Sequence, residues 1–239
     1  MIDNETPEEE TEGEHFLDVA PVRDSLDLML REFTRETDRG AVLIAADIVS
    51  EHLKDIIESL KPAEFAEKRI KELLRYPGLL ATFSARADIA FLAGFISDTA
   101  HRSIDRLRKL RNKAAHSQAG FSLSDHLPAL REITDLGPGV PVEVNRMAGK
   151  FIIDNIVHDL TGRGVALEAE IGSNPFSTPA QIIDEMSKLP DVMKKLGDRL
   201  PRMELAFGIW LLLGLLRHKE TRALRIGVEV AERDPERGN

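Results

Sequence analysis

The chain has 239 residues, no cysteine and a formal net charge of −9, with 42% hydrophobic and 31% charged residues. At roughly 150 residues per domain this length suits one large or two small domains that bury a core without covalent staples. The missing thiols exclude a disulfide framework, thiolate catalysis and cysteine-ligated zinc or iron–sulfur centres, and an aromatic content of 5% argues against a stacking platform for single-stranded nucleic acid.

The charge is unevenly spread. Residues 1–14 hold Asp3, Glu5, Glu8, Glu9, Glu10, Glu12 and Glu14 with no Lys or Arg, so this segment supplies most of the net charge and the remaining body is nearly neutral. Such a segment cannot bury apolar surface, and residues 1–20 read as a disordered acidic tail. It lacks the basic start and apolar stretch of a secretory signal. The longest apolar run, residues 205–216, is twelve residues long, against about twenty for a membrane span. A soluble, cytoplasmic protein without a membrane partner is expected.

The periodicity after the tail is helical. Asp24 or Ser25 can cap a helix with Leu26, Met29, Leu30 and Phe33 on one side. A long helix is predicted over 41–60, with Val42, Ala45, Val49, Leu53, Ile56 and Leu60 facing inward. Pro62 sits where a helix has its first residue, and Tyr76-Pro77-Gly78 stops that pattern. Thr82 or Ser84 can cap a helix over 85–96. The stretch 97–116 reads as another, with Ile104, Leu107, Leu110 and Ala114 inward. A short helix to Thr134 ends at the punctuation Gly137-Pro138-Gly139. A helix over 142–160 follows, terminated by Thr161-Gly162-Arg163-Gly164. Thr178-Pro179-Ala180-Gln181 is a capping box with proline in the first turn. Pro190 breaks its helix, and a last helix starts near Pro201. The five residues 226–230 are the only strand-like stretch. The class is all-α, with one helical domain over 21–164 and additional C-terminal helices over 165–239.

Phosphate-cradling, dinucleotide, zinc-protease and nucleophile-elbow signatures are absent from the sequence, so no cofactor and no metal are expected. Asp154 and His158, one turn apart, read as a local pair rather than as metal ligands. No helix-turn-helix stands out, so sequence-specific DNA reading is not expected.

One segment carries candidate chemistry. Residues 101–117 hold Arg102, Arg106, Arg108, Lys109, Arg111 and Lys113 against the single acid Asp105, a local anion attractor in an otherwise acidic protein. The first three and the two lysines, Arg102, Arg106, Arg108, Lys109 and Lys113, are candidate nucleic-acid contacts. Arg108, Asn112 and His116 recur every four residues along one side, with Arg111 a quarter-turn away. A guanidinium can hold a phosphate bidentately and a near-neutral imidazole can move a proton on a ribose hydroxyl. Helix ends also favour cations through the macrodipole alone.

Arg111-Asn112-Lys113-Ala114-Ala115-His116-Ser117 resembles the R-N-x-x-A-H-S signature of the MltR (mannitol operon repressor) family. Leu80-Ala81-Thr82-Phe83-Ser84-Ala85-Arg86 with Ile89-Ala90 is similar to the upstream F-S-A-R block of that family. Ala45-Ala46 with Glu51 and Leu53 resembles its alanine-rich helix. The resemblance spans roughly residues 35–160, in order and spacing. More broadly, Arg111 and His116 resemble the R-x(4–6)-H motif of HEPN domains. The likeness implies an antiparallel helical bundle that pairs as a homodimer. It implies either a transcription-associated regulator acting through protein partners, or a metal-independent ribonuclease in which Arg111 holds the phosphate, His116 handles the proton and Asn112 assists. The position two after His116, a tyrosine in many toxin-type HEPN motifs, is Gln118.

The two readings predict different sites. A regulator that uses the motif structurally has Arg111 and His116 buried and bonded to each other. A ribonuclease has both in an open electropositive cleft at a dimer axis, with RNA as substrate and the acidic tail as a candidate occupant of the basic helix. The helix from Pro201, apolar nearly all round with Leu205, Ile209, Trp210, Leu212, Leu213 and Leu216, is either buried in its own bundle or half of an interface.

Overall fold

The computed structural model of the chain describes residues 15–233 except 16, 119, 175 and 177, with side chains through 218. The acidic residues 1–14 lie outside the described residues. Among the described residues the chain is an all-α helical bundle without strands. Its helices are α1 (Ala20–Phe33), α2 (Asp38–Ser59), α3 (Glu67–Leu74), α4 (Phe83–Leu92), α5 (Asp98–His116), α6 (Leu127–Thr134), α7 (Val140–Ile171), α8 (Pro179–Ser187) and α9 (Pro190–Arg233), with a 3-10 turn Leu123–His126 before α6. None of them is long and apolar enough to cross a membrane.

Capping residues set several starts. The hydroxyls of Thr37, Thr82, Ser97 and Thr178 accept from the amides of Gly40, Ala85, Ala100 and Gln181, each three residues on. Each bond satisfies an amide that the helix leaves without a partner. At α1 the first turn is set by Pro21 instead, so the helix begins ahead of Asp24 and Ser25. Asp38-Arg39-Gly40 is the first turn of α2 rather than a break, because Thr37 takes the cap. Pro62 opens a turn closed by the Phe65 amide on the Pro62 carbonyl, and α3 starts later, at Glu67.

Two breaks expected from glycine and proline are passed through. Helix α7 continues beyond Thr161-Gly162-Arg163-Gly164 to Ile171 and ends at Gly172, whose φ of +74° gives the left-handed turn. Gly164 acts as a contact: a Cβ there would stand 2.3 Å from Asn174 Oδ1, so the missing side chain lets the following loop close over the helix. Helix α9 starts at Pro190 and runs through Pro201. Proline there removes one helical bond at a cost of about 3 kcal/mol. Burial of Pro201, Met203, Leu205, Ala206, Ile209, Leu212, Leu213 and Leu216 beside it offsets that cost, since a fully buried Leu or Ile contributes about 1.5–3 kcal/mol. The stretch 226–230 is helical backbone within α9.

The core shows what the apolar helix is for. Helix α9 packs on α1, α2, α5, α6, α7 and α8, and its residues Met203 to Leu216 join Val42, Val49, Leu53, Ile104, Leu107 and Leu110 in one cluster. The expected alternative, an exposed interface helix, is excluded for residues 203–216. The C-terminal segment is therefore the middle of the bundle rather than an appendage. Gly208 permits its close approach to α6, since a Cβ there would lie 2.5 Å from Thr134 Cγ2.

A polar stitch sets the end of the bundle next to the candidate site. Asp38 accepts from the Leu123 amide at 2.8 Å and meets Arg202 Nε at 3.1 Å, while Arg202 Nη1 donates to the Phe33 carbonyl at 3.1 Å and to that of Glu36. Arg39 Nη2 donates to the Ser117 carbonyl at 2.7 Å. The start of α2 is thereby tied to α9, to the 3-10 turn and to the end of α5.

Candidate functional site

Helix α5 behaves as its pattern predicts. Ser103, Ile104, Leu107, Leu110 and Ala114 are buried against the core, and Ser103 Oγ donates to the Ile133 carbonyl at 2.6 Å. The cations stand on the remaining faces, but most already hold a carboxylate. Arg102 pairs with Asp98, Arg106 with Glu132, and Arg108 and Lys109 share Asp105. Burial pushes the Asp105 carboxyl up, but its bonds to Lys109 and Arg108 outweigh this and hold it below the ordinary range. Asp98, just ahead of the segment, and Glu132, on α6, thus reduce the basic excess read from it without cancelling it.

The three sequence blocks converge in space. Ala46, Asp47, Ser50 and Glu51 of α2, residues 81–84 and Arg86 at the start of α4, and Arg108, Arg111 and Asn112 of α5 line one polar cavity of about 470 Å³. Arg86 fixes its inner wall. The side chain is 7% exposed; Nη1 donates to Ser50 O, Ser50 Oγ and Glu51 Oε1 at 3.0, 3.0 and 3.2 Å, and Nε donates to Leu80 O at 3.0 Å. One guanidinium thereby joins α2, α4 and the loop between α3 and α4. Glu51 is held below the ordinary carboxylate range by its bond from Lys54, against burial, with Arg86 adding to the effect.

Arg111 is placed differently. It is half-buried, its Nη1 donates to Asn112 Oδ1 at 3.4 Å, and among the described residues no carboxylate lies within 4 Å of it. His116, the last residue of α5, is exposed and lies outside the cavity wall. The structure therefore brings Arg108, Arg111 and Asn112 together and leaves His116 apart from them. The mutual Arg111–His116 burial expected of a structural motif is absent, and the structural tie is Arg86 instead.

A second groove of about 520 Å³ on the other side of α5 takes Arg106, Lys109, Asn112 and Lys113 with Asp125, His126 and Glu132. Asn112 borders both. Arg102 pairs on the exposed side near the start of α5 and lines neither. His101 binds Asp88 at 3.1 Å and stacks on Phe91. Asp154 pairs with Lys150 rather than with His158, and no group of three His, Asp or Glu is placed for a metal among the described residues.

Sequence reasoning quoted Arg86 and Glu51 without a role and passed over Asp47 and Ser50. The signal that could have found them was the spacing of Asp47, Ser50 and Glu51 on one side of α2, directly after the apolar run 41–46. No protein family, no curated protein and no solved structure matches the chain.

Proposed function

We propose that the protein is a regulatory binding protein of MltR type, a homodimeric, transcription-associated factor that acts through protein partners. The observation that carries this reading is the cavity where the three resembling blocks meet. Two of its three cations are met by carboxylates, Arg86 by Glu51 and Arg108 by Asp105, and Asp47 also stands on the wall with Arg111. A lining of mixed and mostly matched charges, hydroxyls and an amide is suited to a polar protein surface more than to a bare phosphate chain. His116 stands outside it, so within one chain Arg111 and His116 do not line the same cavity.

The ribonuclease reading keeps one observation in its favour. Arg111 holds no carboxylate and His116 is exposed at the helix end, so pairing two α5 helices could bring an arginine of one copy to the imidazole of the other. That reaction would use the ribose 2′-hydroxyl as nucleophile, with Arg111 on the phosphate and His116 moving the proton.

The experiment is an RNA-cleavage assay in EDTA on total and transfer RNA, comparing wild type with Arg111→Ala and His116→Ala, each checked for folding by circular dichroism. The binding-protein reading expects no cleavage by any of the three. Cleavage by wild type that both folded variants lose would overturn it in favour of the ribonuclease.

A further inference from the structure

Away from α5, helices α1, α7 and α9 enclose a groove of about 540 Å³. Its floor is apolar: Ile152 and Met203 are buried there, and Leu30, Phe151 and Ile156 are half-buried. Arg31 and Arg35, at and just past the end of α1, and Arg199 of α9 stand on its walls. Among the described residues none of these three guanidiniums holds an ion pair or a side-chain hydrogen bond. Asp27 and Asp159 also border the groove, neither within 4 Å of a cation, so positive charge remains in excess. On α5, by contrast, four of the six cations already hold carboxylates.

We propose that the acidic segment 1–14 of this same chain docks along this arginine groove. Charge complementarity points to it: the segment has seven carboxylates and no Lys or Arg, and arginine forks bind carboxylates bidentately. Tethering points the same way. The described chain begins at His15, directly ahead of α1, and α1 is itself a wall of the groove. Arg31 lies about 17 Å along the helix from Ala20 at 1.5 Å per residue, while fourteen extended residues reach about 46 Å. Such a short tether gives an effective concentration in the millimolar range, so weak, exposed ion pairs suffice to hold the segment. It then stands as an internal competitor to any acidic partner of that groove.

The chain itself supplies the probes. It has no cysteine and one tryptophan, so Thr6→Cys can be labelled at a single site with an acceptor for Trp210. That ring packs on Phe207, centroids 6.3 Å apart, and Phe207 on Phe151 of the groove, 6.1 Å apart. Energy transfer in the labelled full chain is expected to be high at low salt. It should be lost at about 1 M salt, where the Debye length is about 3 Å. It should also be lost in a variant carrying Glu8→Gln, Glu9→Gln, Glu10→Gln and Glu12→Gln, which leaves the folded body untouched. A folded Arg31→Gln/Arg35→Gln/Arg199→Gln variant should lose it as well. Transfer unchanged by the glutamine tail overturns the proposal. So does transfer that survives in the groove variant and disappears in Arg111→Gln/Lys113→Gln, which puts the segment on α5. Loss of transfer on dilution with unlabelled chain also overturns it, because docking would then be between copies.

Discussion

Arg86 and Arg111 border the same cavity and come from two of the three blocks that carry the family resemblance, yet they are placed in opposite ways. Arg86 is buried, and its guanidinium spends its donors on Ser50, Glu51 and the Leu80 carbonyl. Arg111 is half-buried with one long bond to its neighbour Asn112. The α2–α4 wall is therefore built as a joint, and the α5 wall presents its groups. The comparison teaches that the residue types chemistry needs and the residue types a bundle needs can be identical, and that only burial and partners tell them apart.

The largest effect is expected at the joint. Arg86→Ala takes the guanidinium donor from the Ser50 and Leu80 carbonyls and leaves Glu51 with Lys54 alone, and should cost about 3 kcal/mol in urea unfolding. Arg86→Met, which restores apolar volume, should recover part of the loss. A result within about 0.5 kcal/mol of wild type, the scale of a surface substitution, would remove the distinction between the walls.

The next effect lies at the contact between α9 and α6. Gly208→Ala puts a methyl 2.5 Å from Thr134 Cγ2, an overpacking worth about 1–3 kcal/mol. Thr134→Ser removes the clashing methyl, so the double variant should be more stable than Gly208→Ala alone. A simple sum of the two single effects would place the close approach elsewhere.

These sites also mark how far the sequence was legible. The caps at Thr82 and Thr178 and the inward face of α5 were readable because each rests on a local rule: a hydroxyl three residues before an amide, or an apolar spacing near 3.6. The ends of α7 and α9 were not. Gly164 and Pro201 carry the usual marks of a break, and only tertiary contacts, Asn174 against Gly164 and the buried run after Pro201, show why the helix continues. The candidate site was legible in part. Arg111, Asn112 and Arg108 share a cavity as their spacing suggested, while His116, one turn beyond Asn112, falls past the end of that wall. The charge of α5 was legible but not its pairing, for a related reason: Glu132 is distant in sequence and meets Arg106 only in the fold.

A smaller effect sharpens the comparison through pH. The bond from Lys54, against burial and together with Arg86, holds Glu51 below its ordinary value of 4.5. The fold therefore favours the ionised form. Its stabilisation is full above about pH 4.5 and fades as the pH falls through the lower folded value. The stability difference between wild type and Glu51→Gln should be present at pH 6 and shrink as the pH falls below 4.5. A difference independent of pH would detach Glu51 from the joint.

The most direct test of the account sets the two arginines side by side. Urea unfolding of Arg86→Ala and Arg111→Ala, measured in one series with wild type, should show a loss of about 3 kcal/mol for the first and no more than about 0.5 kcal/mol for the second, with equal slopes. A larger loss for Arg111→Ala than for Arg86→Ala would contradict it, because the α5 motif would then be the joint and the α2–α4 wall the presented surface.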